Sequence, residues 1–321
     1  MNQDSQILSI IIPVYNAAQT IERCVNSILL STVDKSQYEI FLINDGSQDK
    51  SLEICHRMKM SNENIKIFSH ANAGTSTTRN VGLENAIGEY VWFIDADDYI
   101  ETSFLEQLIG FIELHPKYDL ISFDYLKSGE VKQDVFKDNV VTGIAFLKDN
   151  NRLFLWNHIY KKKAIGTNRF LDGTKNIEDW LFNIMVLVQS KSILHLPIVG
   201  YNYCEDNNTS TSRSRSRANL EKLSKDSIDI HTALLRFSKS LQVEEQKKVV
   251  LEALNFSVIG HLYSLFKYYD VNNFKQAIDL YKKMGLFPTQ RTNNKRANLF
   301  RMLVNHQNLA ILAMRFWQIV T

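Results

Sequence analysis

The chain has 321 residues, of which 45% are hydrophobic and 22% charged, and its formal net charge is +2. This composition is typical of a globular protein with a sizeable core, and it excludes disordered, collagenous and coiled-coil proteins. Only 3 cysteines are present, without metal-ligand spacing, so no disulfide framework is predicted.

Short apolar runs alternate with helical periodicity over about the first 120 residues. Four strands are predicted, at residues 7–12, 38–43, 65–68 and 89–94. Three helices fit between them, with an apolar stripe of Ile21, Val25 and Ile28 in the first and helical stretches at 49–60 and 75–86. Strands that alternate with helices of this length indicate crossover connections and a parallel sheet covered on both faces.

The second half of the chain changes character. Strands are predicted at 121–125 and 193–203, a helix at 179–189, and a polar loop or linker at 205–217. Helical periodicity then continues at 219–238, 244–268, 272–284 and 295–319. We therefore expect an α/β domain over residues 1–215 and a helical domain over residues 216–321.

Acidic side chains follow two of the predicted strands. Asp45 comes after the second strand, and Asp95 and Asp97 come after the fourth. In open α/β sheets, ligands bind beyond the carboxyl ends of the strands, so both clusters point to one crevice. An Asp-x-Asp pair suits Mg²⁺ or Mn²⁺ with a phosphate-bearing substrate. The alternative is a turn followed by helix-capping acids.

Phosphate-binding loops of the common kinds are missing. None of the 12 glycines forms a dinucleotide-binding or P-loop signature. The stretch 74–82 is instead small and polar and contains Arg79 in the first turns of a predicted helix. A guanidinium there could reach a phosphate or a base edge, or it could lie on the helix surface.

Six motifs together resemble the family 2 glycosyltransferases with the GT-A fold. They are Pro13-Val-Tyr-Asn16, Asn44-Asp-Gly-Ser47, the segment 72–82, Asp95-Ala-Asp-Asp98, Trp156-Asn-His-Ile-Tyr-Lys161 and Glu178-Asp179. The resemblance covers roughly residues 7–213, about two thirds of the chain. It implies a Rossmann-like mixed sheet and leaves the helical C-terminal domain uncovered.

The resemblance implies a nucleotide-sugar donor, most often a UDP-sugar. The implied donor-binding residues are Pro13, Val14, Tyr15, Asn16, Asp45, Gly74, Arg79, Asp95 and Ala96. Asp45 would accept the uracil N–H, and Asp95 would approach the ribose. Asp97 would bind Mn²⁺ or Mg²⁺ at the diphosphate, where the cation neutralises charge that develops on the leaving group.

The resemblance also implies an inverting transfer to an acceptor hydroxyl, with Asp179 as the general base. The implied acceptor-side residues are Trp156, Asn157, Lys161, Glu178 and Trp180. Two alternatives come from the residues alone. Glu178 and Asp179 begin a helix and fit capping acids, and Trp156 fits a core position as well as a sugar platform.

One position departs from the family pattern. Cys204 stands where an arginine is expected after a Tyr-rich strand. Arg213 or Arg215 would take over its role from the polar loop, and residues 205–217 would order over the bound donor.

Two other function classes compete with the glycosyltransferase. A catalytically inactive nucleotide-sugar or glycan-binding module would be free to lose Asp97 or Asp179, and both are present. A nucleotidyltransferase would carry a Gly-rich basic loop after the first strand, which this chain lacks. No nucleic-acid-binding motif is found, so nucleic acid is not an expected partner.

The C-terminal region is basic. Residues 216–321 contain 16 Lys and Arg against 8 Asp and Glu, and no acid follows Asp279. Basic and apolar residues over 295–320 predict a helix on an anionic membrane surface, or one packed on its own domain. With no signal peptide or membrane span predicted, we expect a cytoplasmic protein, peripheral on the inner membrane face, with a glycan or lipid-linked acceptor.

Overall fold

The computed structural model of the chain describes residues 6–136, 138–150, 153–205 and 217–320, with side chains undescribed at 217 and 316–320. The chain divides into two compact units, residues 1–210 and 211–321. The predicted loop at 205–217, with Arg213 and Arg215, lies almost entirely outside the described residues.

The first unit alternates strands and helices. Its strands are β1 (Leu8–Val14), β2 (Tyr38–Asp45), β3 (Ile65–His70), β4 (Tyr90–Phe93), β5 (Tyr99–Ile100), β6 (Leu120–Lys127), β7 (Glu130–Lys132), β8 (Val140–Val141), β9 (His158–Lys161) and β10 (Ile193–Tyr203). Its helices are α1 (Ile21–Leu29), α2 (Ser51–Met60), α3 (Thr75–Asn85), α4 (Phe104–Leu114), α5 (Gly143–Asp149), α6 (Lys162–Ile165) and α7 (Glu178–Leu187).

These strands form one mixed sheet in the order β3-β2-β1-β4-β9-β6-β10-β5, with β7 paired to β6 and β8 to β10. The four strands β3, β2, β1 and β4 run parallel to one another. Strand β9 is antiparallel to both of its neighbours, and β10 is parallel to β6. The predicted α/β class with a mixed sheet is therefore confirmed.

The central strands are apolar because both faces of the sheet are covered. Leu8, Ile10, Ile11 and Ile12 of β1 are fully buried, which accounts for the uninterrupted β-branched run in the sequence. Helix α3 approaches β1 closely at Gly82, where an added Cβ would lie 2.5 Å from Ile11 Cγ2. A larger residue there would push α3, and the residues that it positions, away from the sheet.

The described part of the second unit is helical. Its helices are α8 (Arg217–Ser240), α9 (Glu244–Tyr268), α10 (Val271–Met284), α11 (Lys295–Asn305) and α12 (Gln307–Val320). The sequence predicted one helix over 295–319, and this was wrong, because α11 ends at Asn305 and His306 separates it from α12. The Asn305 side chain binds the backbone of Thr289 at 2.9 and 3.0 Å and anchors the end of α11.

By length and composition, α9 is the one described helix that could cross a membrane. The sequence criterion of 18 uninterrupted apolar residues did not select it. Leu254, Val258 and Leu262 of α9 are buried inside the helical unit. A helix at the centre of a helical unit has the same composition.

Candidate active site

The loop after β1 begins the site. Asn16 has a positive φ of 49° and accepts the N–H of Gln48 on its Oδ1 at 2.8 Å, so the loops after β1 and β2 are joined. Asparagine tolerates this left-handed conformation better than most residues. Val14 is buried and Pro13 half-buried, whereas Tyr15 is 51% exposed. Of these four predicted donor residues, Tyr15 and Asn16 therefore offer accessible surface.

Asp45 binds the loop that leads into α3. Its carboxylate accepts the N–H groups of Ala73 at 2.6 Å and Gly74 at 3.0 Å, and the residue is only 5% exposed. Gly46 has a φ of +68°, and an added Cβ would lie 2.7 Å from the backbone nitrogen of Asn72. Asp45 therefore fixes the start of α3, and its predicted contact with a base stays a prediction.

Helix α3 holds the segment that precedes α7. The Asn80 side chain exchanges two hydrogen bonds of 2.9 Å with the backbone of Phe170. Ser76 Oγ donates to the carbonyl oxygen of Thr174 at 3.0 Å. The small polar residues of 74–82 thus bind a distant backbone segment closely. That segment ends at Ile177, a β-branched residue at φ 54°, which is strained and marks a constrained entry to α7.

Arg79 joins three parts of the site. Its Nη1 donates to Glu178 Oε1 at 2.9 Å and its Nη2 to Asp95 Oδ1 at 3.0 Å, and the Phe170 ring lies 5.5 Å from the guanidinium carbon. The residue is 6% exposed. Burial lowers the pKa of Arg79, but Asp95 and Glu178 raise it, and the net shift is upward. The cation is thus permanent and already paired on the protein.

The loop after β4 contains Asp95, Asp97 and Asp98 and is called the acidic loop below. Asp98 binds the end of β10 to this loop. Its carboxylate accepts the Tyr201 hydroxyl and the Cys204 N–H, each at 2.7 Å. Burial and the nearby Asp95 raise the pKa of Asp98 to about 8. This carboxyl group therefore has a structural position beneath the loop, with its neutral form favoured at pH 7.

Asp95 and Asp97 are the more accessible acids of this loop. The Asp95 side chain is 36% exposed, Asp97 is half-buried and Ala96 between them is buried. In the described part of the chain, no three metal-ligating side chains converge. Two carboxylates are too few to hold a divalent cation alone, but Mg²⁺ and Mn²⁺ commonly complete their shell with substrate phosphate and water. These residues fit a cation that is shared with a substrate.

Asp179 lies in the first turn of α7 beside the Arg79 ion pairs. Its Oδ1 accepts the N–H of the half-buried Trp180 at 2.8 Å, and its Oδ2 has no hydrogen-bond partner among the described residues. Burial and the adjacent Glu178 raise the pKa of Asp179 to about 7, against the opposing effect of Arg79. One oxygen of Asp179 therefore accepts a backbone N–H of the first turn of α7, and the other makes no hydrogen bond to a described residue.

Trp156 and Asn157, two predicted acceptor residues, lie in the protein interior. Trp156 is 5% exposed and stacks between Tyr201 and Phe154, with ring centroids 4.8 and 4.9 Å away. Asn157 is fully buried and donates to Asp134 at 3.0 Å. In this structure the faces of the indole ring are covered by other rings, which favours the core alternative for Trp156.

Lys161 is not brought to the other predicted residues. Strand β9 runs antiparallel to β4 and pairs Lys161 with Tyr90, at the end of β4 opposite Asp95. Its Nζ binds the carbonyl oxygen of Pro116 at 2.5 Å and Glu89 at 3.0 Å. The direction of β9, which the sequence did not reveal, accounts for this difference.

Arg23 lies beside the acidic loop, and the sequence did not single it out. It lies in the first turn of α1, is exposed, and donates from Nη2 to the Asp97 carbonyl oxygen at 2.6 Å. The same nitrogen is 3.3 Å from Cys204 Sγ. The sequence signal of α1 was its apolar stripe, which predicts a helix and says nothing about what its polar residues reach.

Comparison with known proteins gives a family match. The glycosyl transferase family 2 model matches residues 9–174. An uncharacterized glycosyltransferase of Bacillus subtilis, EpsJ, is 27% identical over 219 residues, which cover 64% of this chain and 63% of EpsJ. The poly(ribitol-phosphate) beta-N-acetylglucosaminyltransferase TarS of Staphylococcus aureus is 29% identical over 61% of this chain and 35% of its own length. The chain thus spans less than two thirds of either relative.

Solved structures share the fold. TarS residues 1–349, crystallised with UDP-GlcNAc, match with a TM-score of 0.73 over 96% of this chain and 89% of that one, at 20% identity. The mannosyltransferase PcManGT of Pyrobaculum calidifontis, solved with GDP-Man and Mn²⁺, matches with a TM-score of 0.57 over 98% and 83%, at 14% identity. The predicted GT-A architecture is confirmed.

Replacing Arg79 by leucine should destabilise the first unit strongly. Removing the cation leaves the buried Glu178 and the half-exposed Asp95 without their partner, and breaking a buried ion pair costs about 3–5 kcal/mol. Urea unfolding followed by tryptophan fluorescence measures the loss. Arg57→Leu is the matched control, because the Arg57–Glu22 pair is more than half exposed and is worth at most about 1 kcal/mol. Equal losses in the two variants would contradict the role assigned to Arg79.

Proposed function

The chain belongs to glycosyl transferase family 2, and we propose that it is an inverting glycosyltransferase that moves a sugar from a nucleotide-diphosphate donor to an acceptor hydroxyl. UDP-sugars are the proposed donors, since TarS was crystallised with UDP-GlcNAc. The acceptor is proposed to be a glycan or a lipid-linked glycan. The poly(ribitol-phosphate) acceptor in the name of TarS supports a polymeric acceptor.

The position of Asp179 is the observation that carries this proposal. Its Oδ2 has no described protein partner, and its pKa of about 7 is suited to a group that takes up a proton near neutral pH. The guanidinium of Arg79 binds both Glu178, which directly precedes Asp179, and Asp95 of the acidic loop. The candidate base and the proposed donor site are therefore fixed relative to each other.

In the proposed reaction, Asp179 Oδ2 accepts the proton of the acceptor hydroxyl. The acceptor oxygen forms a bond to the anomeric carbon as the bond from that carbon to the diphosphate oxygen breaks, and the electron pair leaves with the diphosphate. Attack from the face opposite the leaving group inverts the configuration. Trp180 and Glu178 would border the acceptor, and a positioned base contributes about 10²–10⁴ in rate.

The donor would lie over the loops at the carboxyl edge of the sheet. Tyr15 and Asn16 offer accessible surface to the nucleoside, and Asp45 sets the loop at Gly74 beneath it. Asp97, with Asp95 beside it, would hold Mn²⁺ or Mg²⁺. When bound, the cation would neutralise charge on the diphosphate. The Mn²⁺ in the PcManGT structure supports this part of the proposal.

The second unit is proposed to contact an anionic membrane. Helices α11 and α12 expose pairs of apolar side chains at helical spacing, 57–75% exposed: Leu299, Met302, Leu309 and Leu312. Val304, Ala310 and Met314 are buried, so these pairs lie on the opposite, outward sides of their helices. The exposed cations Lys295, Arg296 and Arg315 accompany them. Apolar side chains among cations suit a surface of anionic lipid.

Thermal unfolding with UDP, GDP and CDP, each with and without Mn²⁺, tests the donor. UDP with Mn²⁺ should raise the unfolding midpoint by a few degrees, since ligand at 100 times its dissociation constant adds about 2.7 kcal/mol. The shift should vanish in Asp97→Ala. A shift with GDP or CDP instead would redirect the donor, and no shift with any nucleotide would contradict the proposed function.

Asp179→Asn should lower the rate of UDP release from UDP-GlcNAc by about 10²–10⁴, measured with an envelope-glycan extract as acceptor, and leave UDP affinity unchanged. Glu63→Gln is the control, because Glu63 is an exposed acid in the loop between α2 and β3. Binding of UDP without turnover in the wild type, over a panel of donors and extracts, would instead favour a nucleotide-sugar-binding module.

The wild-type rate should also depend on pH through Asp179. The base works in its ionised form, so kcat/KM should fall about tenfold per pH unit below the pKa of about 7 and level off above it. A profile that stays flat from pH 5.5 to 8 would rule out Asp179 as a base with this pKa.

Membrane contact is tested by sedimentation with vesicles of anionic and of neutral lipid. The wild type should pellet with anionic vesicles at low salt, and the Leu309→Gln/Leu312→Gln variant should bind several-fold less. Leu30→Gln/Leu114→Gln is the control, because both leucines are well exposed and lie in the first unit. Equal binding by the three proteins would refute the assigned surface.

A further inference from the structure

The acidic loop after β4 has an electrostatic requirement that the residues considered so far do not meet. A donor diphosphate would lie beside Asp95 and Asp97, and like charges at short range repel each other. The guanidinium of Arg79 is buried and already paired with Asp95 and Glu178. Its charge is thus neutralised by carboxylates of the protein. A second cation beside the acidic loop would favour binding of the diphosphate.

Arg23 provides that cation. Its Nη2 is held by the Asp97 carbonyl oxygen at 2.6 Å, and its guanidinium carbon lies 4.9 Å from the centre of the Tyr99 ring. Two contacts thus fix the guanidinium beside the acidic loop. The Nε and Nη1 groups of Arg23 donate to no protein group in the described residues. The side chain is exposed, so a ligand can reach these two donors. A planar guanidinium with unused N–H donors is suited to phosphate oxygens.

The neighbour of Arg23 supports the assignment independently. Cys204, at the end of β10, lies 3.3 Å from Arg23 Nη2. Its backbone N–H is held by Asp98, so this side of the edge is fixed as well. Within reach of the loop, α1 thus supplies a guanidinium where β10 ends in an uncharged thiol.

We propose that Arg23 is a binding residue for the diphosphate of the nucleotide-sugar donor, reaching it from the first turn of α1. This inference rests on the proposed function, since it takes the donor to be a nucleoside diphosphate sugar. Arg23 would also orient the Asp97 backbone through the bond that it already makes. The contribution of Arg23 to affinity should therefore depend on the phosphates and not on the base.

Isothermal titration of the full chain with UDP and uridine, and with GDP and guanosine, in the presence of Mn²⁺ tests this assignment. Arg23→Gln should weaken binding of the preferred diphosphate about tenfold or more and change nucleoside affinity less than twofold. The variant should also lose part of the salt dependence of diphosphate binding. Arg57→Gln is the control, because Arg57 is an exposed arginine of α2 that pairs with Glu22, the residue before Arg23 in α1.

A second variant separates binding of phosphate from support of the loop. Arg23→Gln combined with Cys204→Arg returns a guanidinium to the same edge from β10, and it should recover most of the lost affinity. Unchanged diphosphate affinity in Arg23→Gln, or an equal loss for nucleoside and diphosphate, would overturn the inference and leave the proposed function standing. If the wild type binds no nucleotide, the proposed function fails and the inference falls with it.

Discussion

The guanidinium of Arg79 is the interaction on which the site depends. It lies on α3, and its two ion pairs reach the loop after β4 and the first turn of α7. Removing a charge from water is costly, and the two carboxylates compensate for that cost only while they keep their geometry. Any shift of α3, β4 or α7 relative to the others therefore disturbs the same buried cation. One buried cation therefore couples the positions of three segments that are far apart in the sequence.

Three carboxyl groups of the candidate site differ because their surroundings differ. Asp98 is buried beneath the loop and hydrogen-bonded, with a pKa of about 8. Asp179 has one oxygen without a hydrogen-bond partner among the described residues, and its pKa is about 7. Asp95 is partly exposed and paired with Arg79. Burial, hydrogen bonding and pairing thus divide chemically similar side chains into a structural acid, a candidate base and a loop anchor.

Much of this arrangement could be predicted from the sequence. The strands at 7–12 and 38–43 were recognisable because both faces are buried, which requires continuous apolar residues. The acids at strand ends were informative because parallel strands bring their carboxyl ends to one edge. The remote position of Lys161 was not predictable, and the sequence left the burial of Trp156 as one of two alternatives. Both depend on the antiparallel insertion of β9 between β4 and β6, which is set by pairing between distant residues.

Arg23 shows a second limit of the same kind. Local periodicity identified its helix, but its contact with Asp97 depends on how α1 lies against a loop 74 positions later. The break at His306 is similar, since the end of α11 is anchored through Thr289. In each case the deciding contact joins residues that no local pattern relates.

The position of β10 in the sheet has a consequence for synthesis of the chain. Strand β10 lies between β6 and β5, although it follows β6 by about 70 residues. While the ribosome makes the intervening segment, one edge of β6 has no partner, and this takes roughly 4–15 seconds at about 5–20 residues per second. An open edge can pair with a strand of another chain. The parallel strands β1 to β4, by contrast, are complete once residue 93 has emerged, so the proposed donor side can assemble while the rest of the sheet still waits for its last strand.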